Sequence, residues 1–97
     1  MLNSKQVKYL RKLAHPLKPV FQIGKAGLGD QLINELDAVL ERRELIKVSL
    51  LQNTFEDAED AGERIATGTG AELIQVIGHT IVLYRESKEH KKIEFPK

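Results

Sequence analysis

The residues of this chain best suited to chemistry are glycines and cations. Gly24-Lys25-Ala26-Gly27 sets two glycines three apart, with a lysine between them. Glycines at that spacing let the backbone turn sharply and approach a ligand with no Cβ in the way. Lys25 adds a cation at the tip, and a following helix presents backbone N–H groups that can hold a phosphate oxygen. This is suitable chemistry for gripping a nucleic-acid backbone without reading its sequence. A plain strand-to-helix turn can use the same four residues. Upstream, Lys5, Lys8 and Lys12 stand at i, i+3 and i+7, so a helix carries them on one face, with Arg11 at its border.

Other phosphate-loop patterns do not fit. A Walker A loop ending at Gly24-Lys25 needs Gly at 19 and Ser or Thr at 26, where the chain has Pro19 and Ala26. A dinucleotide fingerprint starting at Gly24 also fails at Ala26. The GxxG of a KH domain joins two helices, whereas Val20-Phe21-Gln22-Ile23 reads as a strand.

The elements that must position these residues follow from periodicity and breakers. Asn3 or Ser4 caps a first helix, with Gln6 at capping-box spacing from Asn3. Val7, Leu10, Leu13, Ala14 and Leu17 form its apolar stripe, and His15-Pro16 ends it. After the glycine loop, Asp30 is a natural cap for a second helix with Leu32, Ile33, Leu36, Val39 and Leu40 inside. Leu45–Leu51 alternates as a half-buried strand. Asn53 or Thr54, with Glu56 three residues after Asn53, caps a third helix. Its inner face is Phe55, Ala58, Ala61, Ile65 and Ala66, and Gly68 and Gly70 end it. Leu73–Ile77 and Thr80–Arg85 make a hairpin about Gly78-His79. The order is α-β-α-β-α-β-β, which predicts an α/β fold with a four-stranded mixed sheet covered by helices. Residues 1–86 form the single domain. Residues 87–97 read as a charged C-terminal tail, either solvated or docked as a loose strand.

With 97 residues, one core is all the chain can build. Its net charge of +1 argues at first against a nucleic-acid partner. Counting by segment reverses that argument. Residues 1–29 carry six cations (Lys5, Lys8, Arg11, Lys12, Lys18, Lys25) and no acid. Residues 30–45 and 46–70 each carry −3, and 71–97 carry +1. A basic first third and an acidic middle are hidden in a neutral average.

The absence of cysteine excludes disulfides, thiolate catalysis and Cys-ligated zinc. His15, His79 and His90 are scattered, so no metal is expected. Ser4, Ser49 and Ser87 lack a nucleophile-elbow context. Asp57, Glu59, Asp60 and Glu63 suit the dipole at a helix start better than a cation site. No cofactor and no catalytic pair are expected. The most apolar stretch, Ala71–Tyr84, is interrupted by polar residues, and no apolar leader is visible, so the expected compartment is the cytoplasm.

Four stretches together resemble a known family. They are Lys5-Gln-Val-Lys-Tyr-Leu-Arg-Lys-Leu-Ala-His15, Lys18-Pro-Val-Phe-Gln-Ile-Gly-Lys-Ala-Gly-Leu28, Glu44-Leu-Ile-Lys-Val48 and Val76-Ile-Gly-His-Thr-Ile-Val-Leu-Tyr-Arg85. In this order they look like the CRM (chloroplast RNA splicing and ribosome maturation) domain in its stand-alone bacterial YhbY-like form. The resemblance implies a fold similar to the C-terminal domain of bacterial translation initiation factor three. It also implies RNA binding and association with the precursor of the large ribosomal subunit. The contacts it implies are Gly24, Lys25, Ala26 and Gly27, with Lys5, Lys8, Arg11 and Lys12. Where the family often has a basic residue in the final hairpin turn, this chain has His79. The expected partner is ribosomal RNA of that precursor, met by a monomer that needs no membrane. A protein-interaction module using the acidic helices or a sheet edge is the alternative.

Overall fold

Breakers at Pro16, Pro19, the glycine loop and Gly70 keep every element short, so the chain alternates helix and strand. A computed structural model describes residues 2–96. Met1 and Lys97, the outer ends of the ranges 1–86 and 87–97, lie outside the described residues. The elements are α1 (Ser4–Ala14), β1 (Phe21–Ile23), α2 (Asp30–Arg43), β2 (Leu45–Leu50), α3 (Ala58–Thr69), β3 (Glu72–Ile77) and β4 (Thr80–Tyr84). Their order and type agree with the sequence reading.

The four strands form one sheet in the order β1-β2-β4-β3. β1 runs parallel to β2, while β4 is antiparallel to both β2 and β3. The sheet is mixed because the crossover through α2 returns the chain in the same direction, while the Gly78-His79 turn reverses it.

Both faces of the sheet are covered. On one, Ile46, Val48, Leu50, Ile81 and Leu83 pack against Leu36, Leu40, Ala61 and Ile65 of α2 and α3. On the other, Leu45, Ile74, Val82 and Tyr84 pack under Leu10 and Ala14 of α1. Ile93 and Phe95, beyond the last strand, join this second cluster.

Four local expectations are corrected. Asp30 is the first residue of α2, and the cap is Gly29, which has no side chain to offer. α3 begins at Ala58 with Asp57 as its cap, whose carboxylate accepts the Asp60 N–H at 3.1 Å. Asn53, Thr54 and Glu56 therefore precede the helix, and Phe55 is 96% exposed instead of inward. Gly68 lies inside α3, and Gly70, in left-handed geometry, ends it. His15 does close α1, but with helical angles, so it is Pro16, which lacks an N–H, that stops the helix.

The segment after Arg85 forms no strand, yet it is docked rather than solvated. Glu44 is 0% exposed, and its carboxylate accepts the backbone N–H groups of Ser87 (2.8 Å), Lys92 (2.7 Å) and Ile93 (2.8 Å). Burial opposes the charge on Glu44, but these three donors and nearby Lys91 outweigh it and hold the carboxyl below its ordinary range. One turn back, Glu41 accepts from the Lys88 N–H, the Ser87 hydroxyl and the Glu89 N–H, which lower its pKa to about 2.

Candidate nucleic-acid interface

α1 is held by its reciprocal capping box. The Gln6 N–H donates to Asn3 Oδ1 at 2.8 Å, and the Asn3 N–H donates to Gln6 Oε1 at 3.0 Å. With Leu10 and Ala14 buried in the sheet, Lys5, Lys8, Arg11 and Lys12 all lie exposed. Among the described residues none of these four is in an ion pair. Arg11 and Lys12 also fall in the last turn, where cations favour the helix dipole.

The glycine loop is a single tight turn in which the Gly27 N–H donates to the Gly24 carbonyl at 3.0 Å. Lys25 and Ala26 stand exposed at its tip. Gly27 adopts φ +75°, which disfavours any residue with a Cβ, and a Cβ there would lie 2.9 Å from Glu56 Oε2. The loop exit is clamped. Glu56 Oε2 accepts the Leu28 N–H at 2.7 Å, and Arg64 donates to both Glu56 Oε1 and the Leu28 carbonyl at 2.8 Å. The Leu28 N–H is thus already satisfied and is not available to an anion.

Sequence reasoning missed this clamp because it placed Glu56 in a capping box. Arg64 gave no local signal at all. Arg85 has a structural role. It bonds the Thr69 carbonyl at 2.9 Å and the Asp37 carbonyl at 3.2 Å and pairs with the Asp37 carboxylate, tying β4 to α2 and the end of α3.

The eight predicted contact residues form two stations. α1 lies over the end of the sheet that holds Leu45 and Tyr84, and Lys47 Nζ reaches the His15 and Leu17 carbonyls at 3.1 and 3.0 Å. The loop leaves the opposite end, where the Leu51 N–H meets the Ile23 carbonyl and the Leu50 N–H meets the His79 carbonyl. β2 runs about 17 Å from Leu45 to Leu50, with α1 packed toward the Leu45 end and middle of the sheet and the glycine loop beyond the other end. The acids Asp57, Glu59, Asp60 and Glu63 lie on or beside α3, across the sheet from α1.

Among the described residues, no group of three or more His, Cys, Asp or Glu side chains is placed to hold a metal ion. Among the described residues no helix is long and apolar enough to cross a membrane.

Fold and site together define a small α/β domain with a basic helix on one sheet face and a clamped glycine turn at one sheet end. The chain belongs to the CRS1 / YhbY (CRM) domain family, whose model matches residues 2–85. It is 53% identical over 96 residues to the "Probable RNA-binding protein YqeI" of Bacillus subtilis, covering 99% of this chain and 100% of that one. An "RNA-binding protein" of Haemophilus influenzae is 38% identical over 96 residues, covering 99% of this chain and 96% of that one. The solution structure of the Staphylococcus aureus protein SAV1595 superimposes with a TM-score of 0.81 at 54% identity, covering 99% and 100% of the two chains.

Proposed function

We propose that this chain is a monomeric, non-catalytic RNA-binding protein of the cytoplasm that acts in ribosome assembly on the precursor of the large subunit. The relatives named as RNA-binding proteins support the RNA-binding part of this reading. The family resemblance supports the second. Residues 1–86 are the binding unit, and 87–97 are appended to it. Lys5, Lys8, Arg11 and Lys12 neutralise phosphates at one station, while Gly24, Lys25, Ala26 and Gly27 let a backbone approach at the other.

The observation that carries the reading is the division of charge across the sheet. The exposed cations of α1 lie on one face, and the acids at the start of α3 lie on the other. A polyanion is drawn to the first face and turned away from the second. Recovery of RNA crosslinked to the protein in cells tests the role. Enrichment of precursor large-subunit RNA is the expected result. Recovery of RNA without any ribosomal fragment overturns the assembly role, and recovery of none overturns RNA binding.

A further inference from the structure

Half of one sheet face is left uncovered between the two cationic stations. Alternation along β2 puts Leu45, Lys47 and Ser49 on the α1 side, and alternation along β4 puts Tyr84, Val82 and Thr80 there. α1 and the tail cover this side from the Leu45/Tyr84 end as far as Ile74 and Val82, which are buried beneath them. Toward the loop end, register aligns Gln22 with Ser49, Ser49 with Thr80, and Thr80 with Ile77, a row across all four strands. The row behind it contains Lys47, Val82 and Gln75. Gln22 is exposed, Ile77 is 60% exposed, and Ser49, Thr80 and Gln75 are half-buried. The side-chain hydrogen bonds among the described residues involve none of Gln22, Ser49, Gln75 or Thr80. This row holds no carboxylate.

Leu2 and Gln6 line a cavity with Glu72, Arg85 and Phe95, while the end of the helix meets Lys47, so α1 runs across the strands. Tyr9 packs on Phe95 at 6.0 Å between ring centroids, which turns that edge toward the tail. Val7, Lys8 and Arg11 lie along a groove on the opposite edge of the helix, away from the tail.

We infer that the open half-face, with Gln22, Ser49, Thr80 and Gln75 as hydrogen-bonding side chains, seats the bases of a single-stranded RNA segment. The phosphates of that segment run between Lys8 and Arg11 on one side and Lys25 on the other. The inference rests on the RNA-binding reading and adds a base-contacting surface to it. Two features select this occupant. Cations border the face on both sides and no acid interrupts it, which is complementary to a polyanion. The side chains between them are uncharged donors and acceptors, suited to the exposed edges of unpaired bases, and Ile77 offers an apolar contact at the end of the row. A helical duplex would bury those edges.

The test uses near-isosteric charge. Gln22→Glu and Gln75→Glu place one carboxylate each on the open face, and Ala38→Glu places one on exposed α2 across the sheet. Binding is measured to a short mixed-sequence single-stranded RNA and to its duplex, with circular dichroism as the check on folding. The first two variants are expected to lose about tenfold in affinity for the single strand through repulsion at close range. Ala38→Glu should stay near wild type. The uncharged pair Gln22→Ala and Gln75→Ala should flatten preference among homopolymer RNAs while leaving the salt dependence unchanged. If Lys25→Ala weakens binding but all three Glu variants behave alike, the sheet surface is refuted and the RNA reading stands. If the wild-type chain binds neither strand nor duplex, the RNA reading itself is refuted. A preference for duplex overturns the inference as well.

Discussion

Leu28 and Glu56 are joined across 28 positions of sequence by a 2.7 Å hydrogen bond from the Leu28 N–H to Glu56 Oε2. That bond makes the exit of the glycine loop and the approach to α3 one rigid corner. Arg64 reinforces it through the other carboxylate oxygen and the Leu28 carbonyl. A loop that must present Lys25 to a partner gains from being fixed in advance, because less order is lost on binding.

Removing the clamp should loosen the corner. Glu56→Ala strands a half-buried N–H and leaves Arg64 without its main partner, which costs about 1–3 kcal/mol. Denaturant unfolding gives the magnitude, and hydrogen exchange at Leu28 should quicken more than exchange in β2. Unchanged exchange at Leu28 would show that the corner holds without the carboxylate.

The two loop glycines should differ in their tolerance of a methyl group. At Gly27, φ is +75° and the Cβ would sit 2.9 Å from Glu56 Oε2, so Gly27→Ala should cost about 1 kcal/mol or more. At Gly24 the nearest atom is Leu51 Cδ1 at 3.3 Å, the end of a 40% exposed side chain that can move aside. Gly24→Ala should therefore stay within about 0.5 kcal/mol of wild type. Equal losses at the two positions would contradict this account.

Phe55 should be dispensable for stability. It is 96% exposed, so Phe55→Ser should shift unfolding by no more than about 0.5 kcal/mol. A loss of core-residue size in thermal or denaturant unfolding would restore the inward placement that the sequence suggested.

These cases show where the sequence could be read. Asn3 and Gln6 are neighbours whose spacing contains their whole interaction, so the cap of α1 was legible. So were the alternation of Leu45–Leu50 and the charge separation along the chain. At the start of α3 two caps compete, Asn53-x-x-Glu56 and Asp57-x-x-Asp60. The choice depends on Glu56 bonding Leu28, which local spacing does not encode. What holds the tail in place was hidden for the same reason. Its lysines and glutamates suggest solvent, while the groups that hold it are backbone N–H groups meeting Glu44 far upstream. Spacing also could not reveal that Lys25 and the α1 cations sit at separate parts of the sheet, because that follows from strand order.

The tail should respond to acid before the sheet does. Glu41 and Glu44 both have carboxyls held below the ordinary 4.5, Glu41 at about 2. A depressed carboxylate stabilises the fold at pH values above 4.5, and that contribution disappears as pH falls through its folded value. As pH falls below 4.5, the Lys92 and Ile93 amides that Glu44 holds should lose exchange protection, and the Lys88 and Glu89 amides that Glu41 holds should lose it as pH approaches about 2, while those of β2 and β4 retain it. Glu44→Ala should mimic this release at neutral pH. Glu44→Gly should be the milder variant, since Glu44 sits at φ +66° and glycine accepts that angle without strain. Tail amides as protected at pH 2 as at pH 6 would show that the carboxylates do not hold it.

The two stations should be separable by salt. If about four phosphates are engaged on a single strand, log affinity should fall with log salt at a slope of about −3. Neutralising Lys25 alone should make the slope shallower by about 0.7, the contribution of one phosphate. Neutralising Lys5, Lys8, Arg11 and Lys12 together should remove most of what remains and weaken binding to many sequences alike, because backbone contacts carry no base information. Because the stations lie on different elements and share no contact, their losses should add. A slope near zero in the wild type would remove the electrostatic basis of the reading. A loss confined to one sequence on removing the helix cations would mean that α1 reads bases, and the assignment of base contacts to the open sheet would then have to be abandoned.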